Sequence, residues 1–560
     1  MPSRSSLGRR AVISQLAALA IATALLASCS GGSTAGTSGG AAGDTVGTTL
    51  TSEQPAGPPT SGGSLTYGIA TDTNSLNPYV GQWSGSTYIV ANAFYEPLAA
   101  LGTDGQARPY LAEAITPSPD FKQWTIHLRP DVTFSNGEKL NADALITNLH
   151  AGQKSALISA ALAPVSSVTA TDDLTVVVAM STPWSTFDQL LTSQAGYMAA
   201  PALLAASDAA TADPIGTGPF VFQSRVQDSF VKVAKNSRYW QAGKPYLDGI
   251  TFKVLPDDSS RSSAMDTGDL DAMEINTSTV LSKYLDKSKN GEIQLLTNAG
   301  FESNEFVIAL NTTSAPFDDL TARQALAYAI DQEQISKTVY NGVWPAAWGN
   351  FEEGSPYFIS KQEAGYPDPD PQKAKELADQ YRQKHGGPIT FRLLLGSDTE
   401  SALLGQFIQQ ELQPAGIDVQ VQQTDTTTSI GKILTGDYQA GFFAMWSVPT
   451  LDKGYFFVAS KPSQSGISLN YTRMDDPAIT KAMDDARSTA ERNQQIADYD
   501  IVQKQMATNL DRIFLYHGRN ASAFDKRVHG FTTATFPGMT DRAFAPDVTI
   551  SFYTAMWVSR

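Results

Sequence analysis

Ile215-Gly216-Thr217-Gly218-Pro219-Phe220, then Asn236-Ser237-Arg238-Tyr239-Trp240, then Pro245-Tyr246-Leu247-Asp248, is the stretch on which the reading of this chain turns. Gly216 and Gly218 leave the backbone free to turn sharply, and Pro219 then fixes it. The pattern reads as a loop entering a strand. A phosphate-cradling loop needs a Lys-Ser/Thr ending, which is absent here. Strands and helices alternate on both sides of this stretch. Thr125-Ile126-His127-Leu128 and Val132-Thr133-Phe134 alternate in polarity and meet the turn pair Asn136-Gly137. Asn141 is placed to cap the next helix, with Asp143 in its first turn. Leu174 to Val178 and Ile250 to Val254 read as further strands.

The later half is more helical. Asp318-Asp319 precede a helix over Leu320 to Ile330, and Asp476-Pro477 is an N-cap with proline at the first helical position. Ile479, Met483 and Ala486 form one helical stripe, and Ile496, Tyr499 and Met506 another, both read as core. Gln410-Glu411-Leu412 leads through Gly416 to a strand over Ile417 to Val421. No internal repeat is visible.

At the N-terminus, Arg4, Arg9 and Arg10 precede an apolar run from Ala11 to Ala27 and the ending Leu26-Ala27-Ser28-Cys29. This is an export signal. The ending resembles the bacterial lipobox, in which the cysteine is acylated and becomes the new N-terminus. Arg9-Arg10 also allows twin-arginine export. Ser14 and Gln15 interrupt the run, which is short for a membrane span. Cys29 is the only cysteine of 560 residues, so no intramolecular disulfide is possible. Ser30 to Gly63 holds no aromatic residue and no Lys or Arg, and reads as a flexible tether with a reach of roughly 30 Å. The leader takes three arginines and no acidic residue with it, leaving a net charge of −19. That balance argues against nucleic acid and against docking on an anionic membrane. The roughly 500 residues beyond the tether exceed one ordinary core, so at least two lobes are expected.

Further segments complete a pattern: Ser75-Leu76-Asn77-Pro78, Tyr95-Glu96-Pro97-Leu98, Pro109-Tyr110-Leu111-Ala112-Glu113, Phe134-Ser135-Asn136-Gly137, Pro316-Phe317 and Arg323-Gln324-Ala325. With the opening stretch, their order and spacing resemble the extracellular solute-binding proteins of the peptide/nickel class of ABC importers. The resemblance runs from about Leu65 to the C-terminus. It implies an α/β, two-lobed, periplasmic-binding-protein-like (class II) architecture with mixed sheets and a hinge between the lobes. The expected division is a signal peptide over 1–28, a tether over 29–63, a large lobe over 64–305 joined by 521–560, and a small lobe over 306–520. Crossings are expected near Phe301–Val307 and Phe514–Ala523. The implied role is a lipid-anchored receptor on the outer face of the cell membrane, a monomer that captures a peptide or similar polar solute by hinge closure. Its partners are the importer's permease and ATPase, and no cofactor is expected. A nickel-chelate or oligosaccharide receptor is the alternative.

The resemblance also suggests a pocket. Ala444-Met445-Trp446-Ser447-Val448-Pro449 falls where the family carries a pocket tryptophan, so Trp446 leads the candidates, with burial in the core as the competing reading. Peptide-binding members often carry an acidic residue three positions later to pair the peptide's α-amino group. Here Pro449 stands there, as in the Trp-x-x-Pro form of nickel-chelate receptors. Asp72, Thr73 and Asn74 match the loop that touches ligand from the large lobe. Asp72 is either the missing acidic anchor or a turn residue. Ser303 and Asn304 lie at the first crossing. Tyr516 and His517 lie on the strand returning past the cleft. The five histidines, His127, His150, His385, His517 and His529, include no pair at ligand spacing, and no metal site is assigned.

The rival class is a secreted hydrolase. Neither a Gly-x-Ser-x-Gly elbow nor His-Glu-x-x-His occurs, and the one thiol is assigned to lipid. Asp368 and Asp370 suggest a calcium loop, but Lys373 stands where such a loop requires Gly. Pro369 and Pro371 read instead as the entry to a helix over Lys373 to Gln383. No catalytic residue is assigned.

Overall fold

The computed structural model describes residues 50–51, 53, 57–81, 83–297, 304–445, 450–459, 468–519, 521–543 and 552–559. An eight-stranded sheet runs, edge to edge, through Leu50–Thr51, Gln294–Thr297, Ala521–Phe524, Ala272–Ile275, Ser64–Ile69, Gly249–Val254, Phe230–Lys235 and Phe220–Val226. Ser64–Ile69 is central and parallel to both neighbours, while the remaining pairs are antiparallel. Leu65, Tyr67 and Ile69 are buried in it, as befits a strand covered on its inner face. A four-stranded antiparallel sheet is built from Ala112–Pro117, Gln123–Leu128, Thr175–Met180 and Val165–Ala170. Along Gln123–Leu128, Trp124, Ile126 and Leu128 are buried and the alternate residues are not, the period-two pattern of a one-sided sheet. Together these sheets enclose one hydrophobic core.

A second core is centred on a five-stranded mixed sheet with the order Asp418–Thr424, Thr390–Gly396, Ala440–Met445, Asn304–Leu310, Arg512–Gly518. Its helices start as their caps dictate. Asp319, Asp370 and Asp476 each accept backbone N–H bonds at the heads of Leu320–Ala329, Pro371–His385 and Pro477–Arg487. Asn141 does the same for Ala142–Lys154 in the first core. The chain leaves the eight-stranded sheet at Thr297 and enters the five-stranded sheet at Asn304. It returns between Gly518 and Ala521.

Two local expectations change. Val132-Thr133-Phe134 forms no strand. Phe134 donates to Glu138 O at 2.8 Å around the Asn136-Gly137 turn, and only a single Thr133–Lys139 bridge follows. The segment read as tether is attached before Ser64. Leu50–Thr51 pairs with Gln294–Thr297, and the Glu53 carboxylate accepts from the Gly530 and Thr532 amides at 2.5 and 3.0 Å. Composition does not show a two-residue edge strand that pairs through its backbone. Residues 1–49, and with them Cys29, lie outside the described residues.

Candidate functional site

The opening stretch of sequence turns out to be scaffold. A Cβ on Gly216 would stand 2.1 Å from Phe94 O, and one on Gly218 would stand 2.5 Å from the Phe94 carbonyl carbon, so only glycine fits. Beside them Glu96 is fully buried and accepts from Tyr239 Oη at 2.5 Å and Trp240 Nε1 at 2.8 Å. Burial pushes the Glu96 carboxyl up to about 7, against the hydrogen bonds from Tyr239 and Trp240. Asn236 Nδ2 donates to Gly218 O at 3.0 Å. Three separated motifs therefore meet at one buried carboxylate.

The large-lobe loop is organised by Asp72. Its side chain is buried, with Oδ1 accepting from Thr73 N at 2.8 Å and lying 2.9 Å from Arg225 Nη2. Oδ2 accepts from Arg225 Nε at 3.2 Å and Asp228 N at 2.9 Å. Both oxygens are taken, and the carboxylate is turned into its own lobe. Of the two readings offered for Asp72, these contacts are those of a residue that organises its own turn, with Arg225 beside the carboxylate. Thr73 is buried, its hydroxyl bonded to Ser75 O at 2.7 Å, and Asn74 is exposed at the turn.

Tyr516 stands in an aromatic stack. Phe306, Tyr516 and Trp344 stack with ring centroids 4.6 and 5.0 Å apart and planes within 18° and 10° of parallel. Tyr340 covers Tyr516 at 4.2 Å and shares a side-chain hydrogen bond with it. Tyr516 is 2% exposed and its ring is part of this stack. His517 points to the opposite face, buried, with Nδ1 unpartnered. Burial lowers its pKa to about 4, so the ring is neutral. Asn304 is buried at the start of its strand, paired in register with Gly518. Ser303 and the run Trp446 to Pro449 lie outside the described residues.

Around His517 stands a polar group that sequence reasoning left unassembled. Asn350 Nδ2 donates to Glu305 Oε2 at 2.6 Å, and Arg519 Nη2 donates to Glu352 Oε1 at 2.6 Å. The partner of Glu305 in the neighbouring strand is His517. The alternation His517, Gly518, Arg519 was a usable signal for Arg519. Asn350 and Glu352 come from a non-repetitive segment and gave none. Among the described residues, no three His, Cys, Asp or Glu side chains form a group able to hold a metal ion.

A second contact joins the two cores. Asp452 Oδ2 accepts from Trp184 Nε1 at 2.6 Å and Thr186 Oγ1 at 2.5 Å, and its Oδ1 pairs with Arg487. The Arg487 guanidinium lies 4.6 Å from the Trp184 ring and 3.6 Å from the Tyr455 ring. Thr450 Oγ1 donates to Gln189 Oε1 at 2.9 Å, and Ser185 N to Arg487 O at 2.6 Å. Trp184 belongs to the first core, and Leu451 and Val458, on either side of Asp452, belong to the second.

Residues 106–466 match the model of the family described as bacterial extracellular solute-binding proteins, family 5. The glutathione-binding protein GsiB of Pectobacterium atrosepticum is 29% identical over 498 residues, covering 86% of this chain and 94% of that protein. The nickel-binding periplasmic protein of Escherichia coli K12 is 27% identical over 455 residues, covering 78% and 85%. The fold superposes on the periplasmic binding protein AgaA from A. tumefaciens R10, solved with agropinic acid. That match has a TM-score of 0.76 and 24% identity, and covers 89% of this chain and 99% of AgaA.

Proposed function

The chain belongs to the bacterial extracellular solute-binding proteins of family 5, and from that premise we propose that it captures a peptide or similar small polar solute between its lobes and delivers it to an ABC permease. Members of this family are transport receptors rather than enzymes. One observation carries the reading. Where the chain crosses from one sheet to the other, buried polar atoms of Glu305, Asn350, Glu352, His517 and Arg519 find no partner among the described residues. Orphaned polar groups are costly, and a solute that satisfies them would draw the lobes together. The Asp452–Trp184 contact is then the seal of the closed form. Glutathione and nickel, named for the two relatives, define the range of solutes to test. A nickel-chelate receptor is the second reading, favoured by Pro449 in the Trp-x-x-Pro pattern. The lobes divide near 305 and 520, and Cys29 carries the lipid that holds the receptor outside the membrane.

Calorimetry on the purified protein with tripeptides, glutathione, maltotriose and a nickel–histidine chelate tests this reading. One member should bind at one per chain and raise the melting temperature by mass action. Trp446→Ala should weaken that binding by roughly 1–3 kcal/mol through lost aromatic contact. Turnover of a bound solute into product, in place of stoichiometric binding, would overturn the receptor reading.

A further inference from the structure

The four-stranded sheet takes no part in either crossing, since the chain leaves and re-enters through the eight-stranded sheet. The eight-stranded sheet also shares apolar packing with the second core through Met273, Ile275 and Leu295. The four-stranded sheet meets the second core elsewhere, through the segment that follows Thr175–Met180. That segment is fastened to its own sheet. Trp124 Nε1 donates to Trp184 O at 2.9 Å, and Trp184 N donates to Phe121 O at 3.0 Å. The Phe187 ring lies 5.8 Å from Trp124 and 5.2 Å from Trp184. The segment therefore presents Trp184, Ser185, Thr186 and Gln189 as a fixed seat.

Three parts of the second core come down on that seat. Asp452 accepts from Trp184 and Thr186, Thr450 donates to Gln189, and Arg487 at the end of its helix accepts from the Ser185 amide. Gln495, on the helix Arg492–Asn509, reaches Ser185 Oγ at 3.4 Å. Two further carboxylates border the joint: Asp188, which bears on Asp452, and Asp484, which accepts from Tyr455 Oη at 2.7 Å. Trp184, Thr186, Gln189, Thr450, Asp452 and Arg487 are each between 1% and 7% exposed. Phe456 adds a ring against the first core, but the contacts that orient the two sides are polar. Hydrogen bonds exchanged for bonds to water bring a small net gain, so a polar joint can part and re-form where an apolar core cannot. We propose that this joint is a latch, which closes the lobes on one another without solute and sets how much of the empty receptor is closed. Its side chains spend their polar atoms on one another and act as positioning residues, because apparent affinity follows the closed fraction they maintain. The four-stranded sheet, which neither crossing needs, is the fixed half of that latch.

This inference rests on the reading of the chain as a solute receptor, and the test separates the two. Full-length protein in detergent is compared with Thr186→Val and Thr450→Val, each of which deletes one hydroxyl of the joint. In the solute-free protein the Ser185 amide, bonded across the joint, should exchange its hydrogen at least threefold faster in each variant. The amides of Gln123–Leu128 should exchange at the parental rate, whereas a merely structural loss would speed them too. Parent and variants are then titrated with Ala-Ala-Ala, glutathione, maltotriose and a nickel–histidine chelate. The probe that binds the parent should bind each variant at least threefold more weakly, and at saturation it should slow the parental Ser185 amide at least tenfold. A Ser185 amide that exchanges at the parental rate in both variants, or that saturating probe leaves unchanged, would make the joint a permanent part of the fold. Either result would overturn the latch and leave the receptor intact, as would parental affinity in both variants. If no probe binds the parent, the receptor reading falls, and exchange in the solute-free protein alone decides the latch.

Discussion

At the scale of single residues, the carboxylates divide by what surrounds them. Glu96 is a folding device. Its carboxyl titrates near 7 in the folded protein against an ordinary 4.5, because burial disfavours the charge. The folded state therefore holds the proton more tightly. The stability this contributes is fully present below about pH 4.5 and is lost as pH rises through about 7, by about 3 kcal/mol at most. Denaturant titrations at a series of pH values should show this slope in the parent and its loss in Glu96→Gln; equal slopes would refute it. Asp72 differs in its partners, with Arg225 and two amides occupying both carboxylate oxygens. Asp72→Asn leaves that guanidinium without its partner and should cost about 2 kcal/mol of stability. Solute affinity should stay at the parental value, and a selective loss of affinity would return Asp72 to the binding site.

At the scale of elements, the returning strand Arg512–Gly518 carries two functions on its two faces. Tyr516 enters the stack with Phe306 and Trp344, while His517 faces the polar group. Trp344→Ala should cost about 3–5 kcal/mol, the scale for deleting a large buried aromatic. Tyr516→Phe should cost only about 1 kcal/mol for its hydrogen bond, with no change in solute affinity. Thermal melts and calorimetry on both variants check this. The strand was legible from Ile513-Phe514-Leu515-Tyr516, and so were the helix starts, since Asp319, Asp370 and Asp476 act through neighbours only a few residues away. What was not legible depends on distant pairing. Nothing around Asp72 announces Arg225, which lies 153 positions away. Glu352 meets Arg519 across 167 positions. The stack around Tyr516 was not legible either, because its rings, Phe306, Tyr340 and Trp344, come from distant segments. The family motifs marked the fold correctly, and Glu96, Gly216 and Tyr239 among them serve the scaffold.

At the scale of the whole molecule, the eight-stranded sheet lends Met273, Ile275 and Leu295 to the second core, and two further contacts bear on closure. One is the pair of crossings beside Asn304 and Gly518, and the other is the contact of Asp452 with Trp184, Thr186 and Arg487. A receptor that closes on its solute needs the first to bend and the second to form. Among the described residues no helix is long and apolar enough to cross a membrane. On the proposal that Cys29 carries a lipid, Cys29→Ser should move the protein from the membrane to the released fraction, and continued detergent partitioning of that variant would contradict the lipid anchor. The same variant removes the only native cysteine, which allows labels to be placed one per lobe. Leu157, 38% exposed beside the first core, and Ile501, 44% exposed on the helix Arg492–Asn509 of the second, are suitable positions. Single-molecule energy transfer between dyes at Leu157→Cys and Ile501→Cys tests the central claim most directly. Hinge closure should give a longer-distance population in the free protein that shifts to a single shorter distance as solute saturates, and a distance distribution unchanged at saturation would rule closure out.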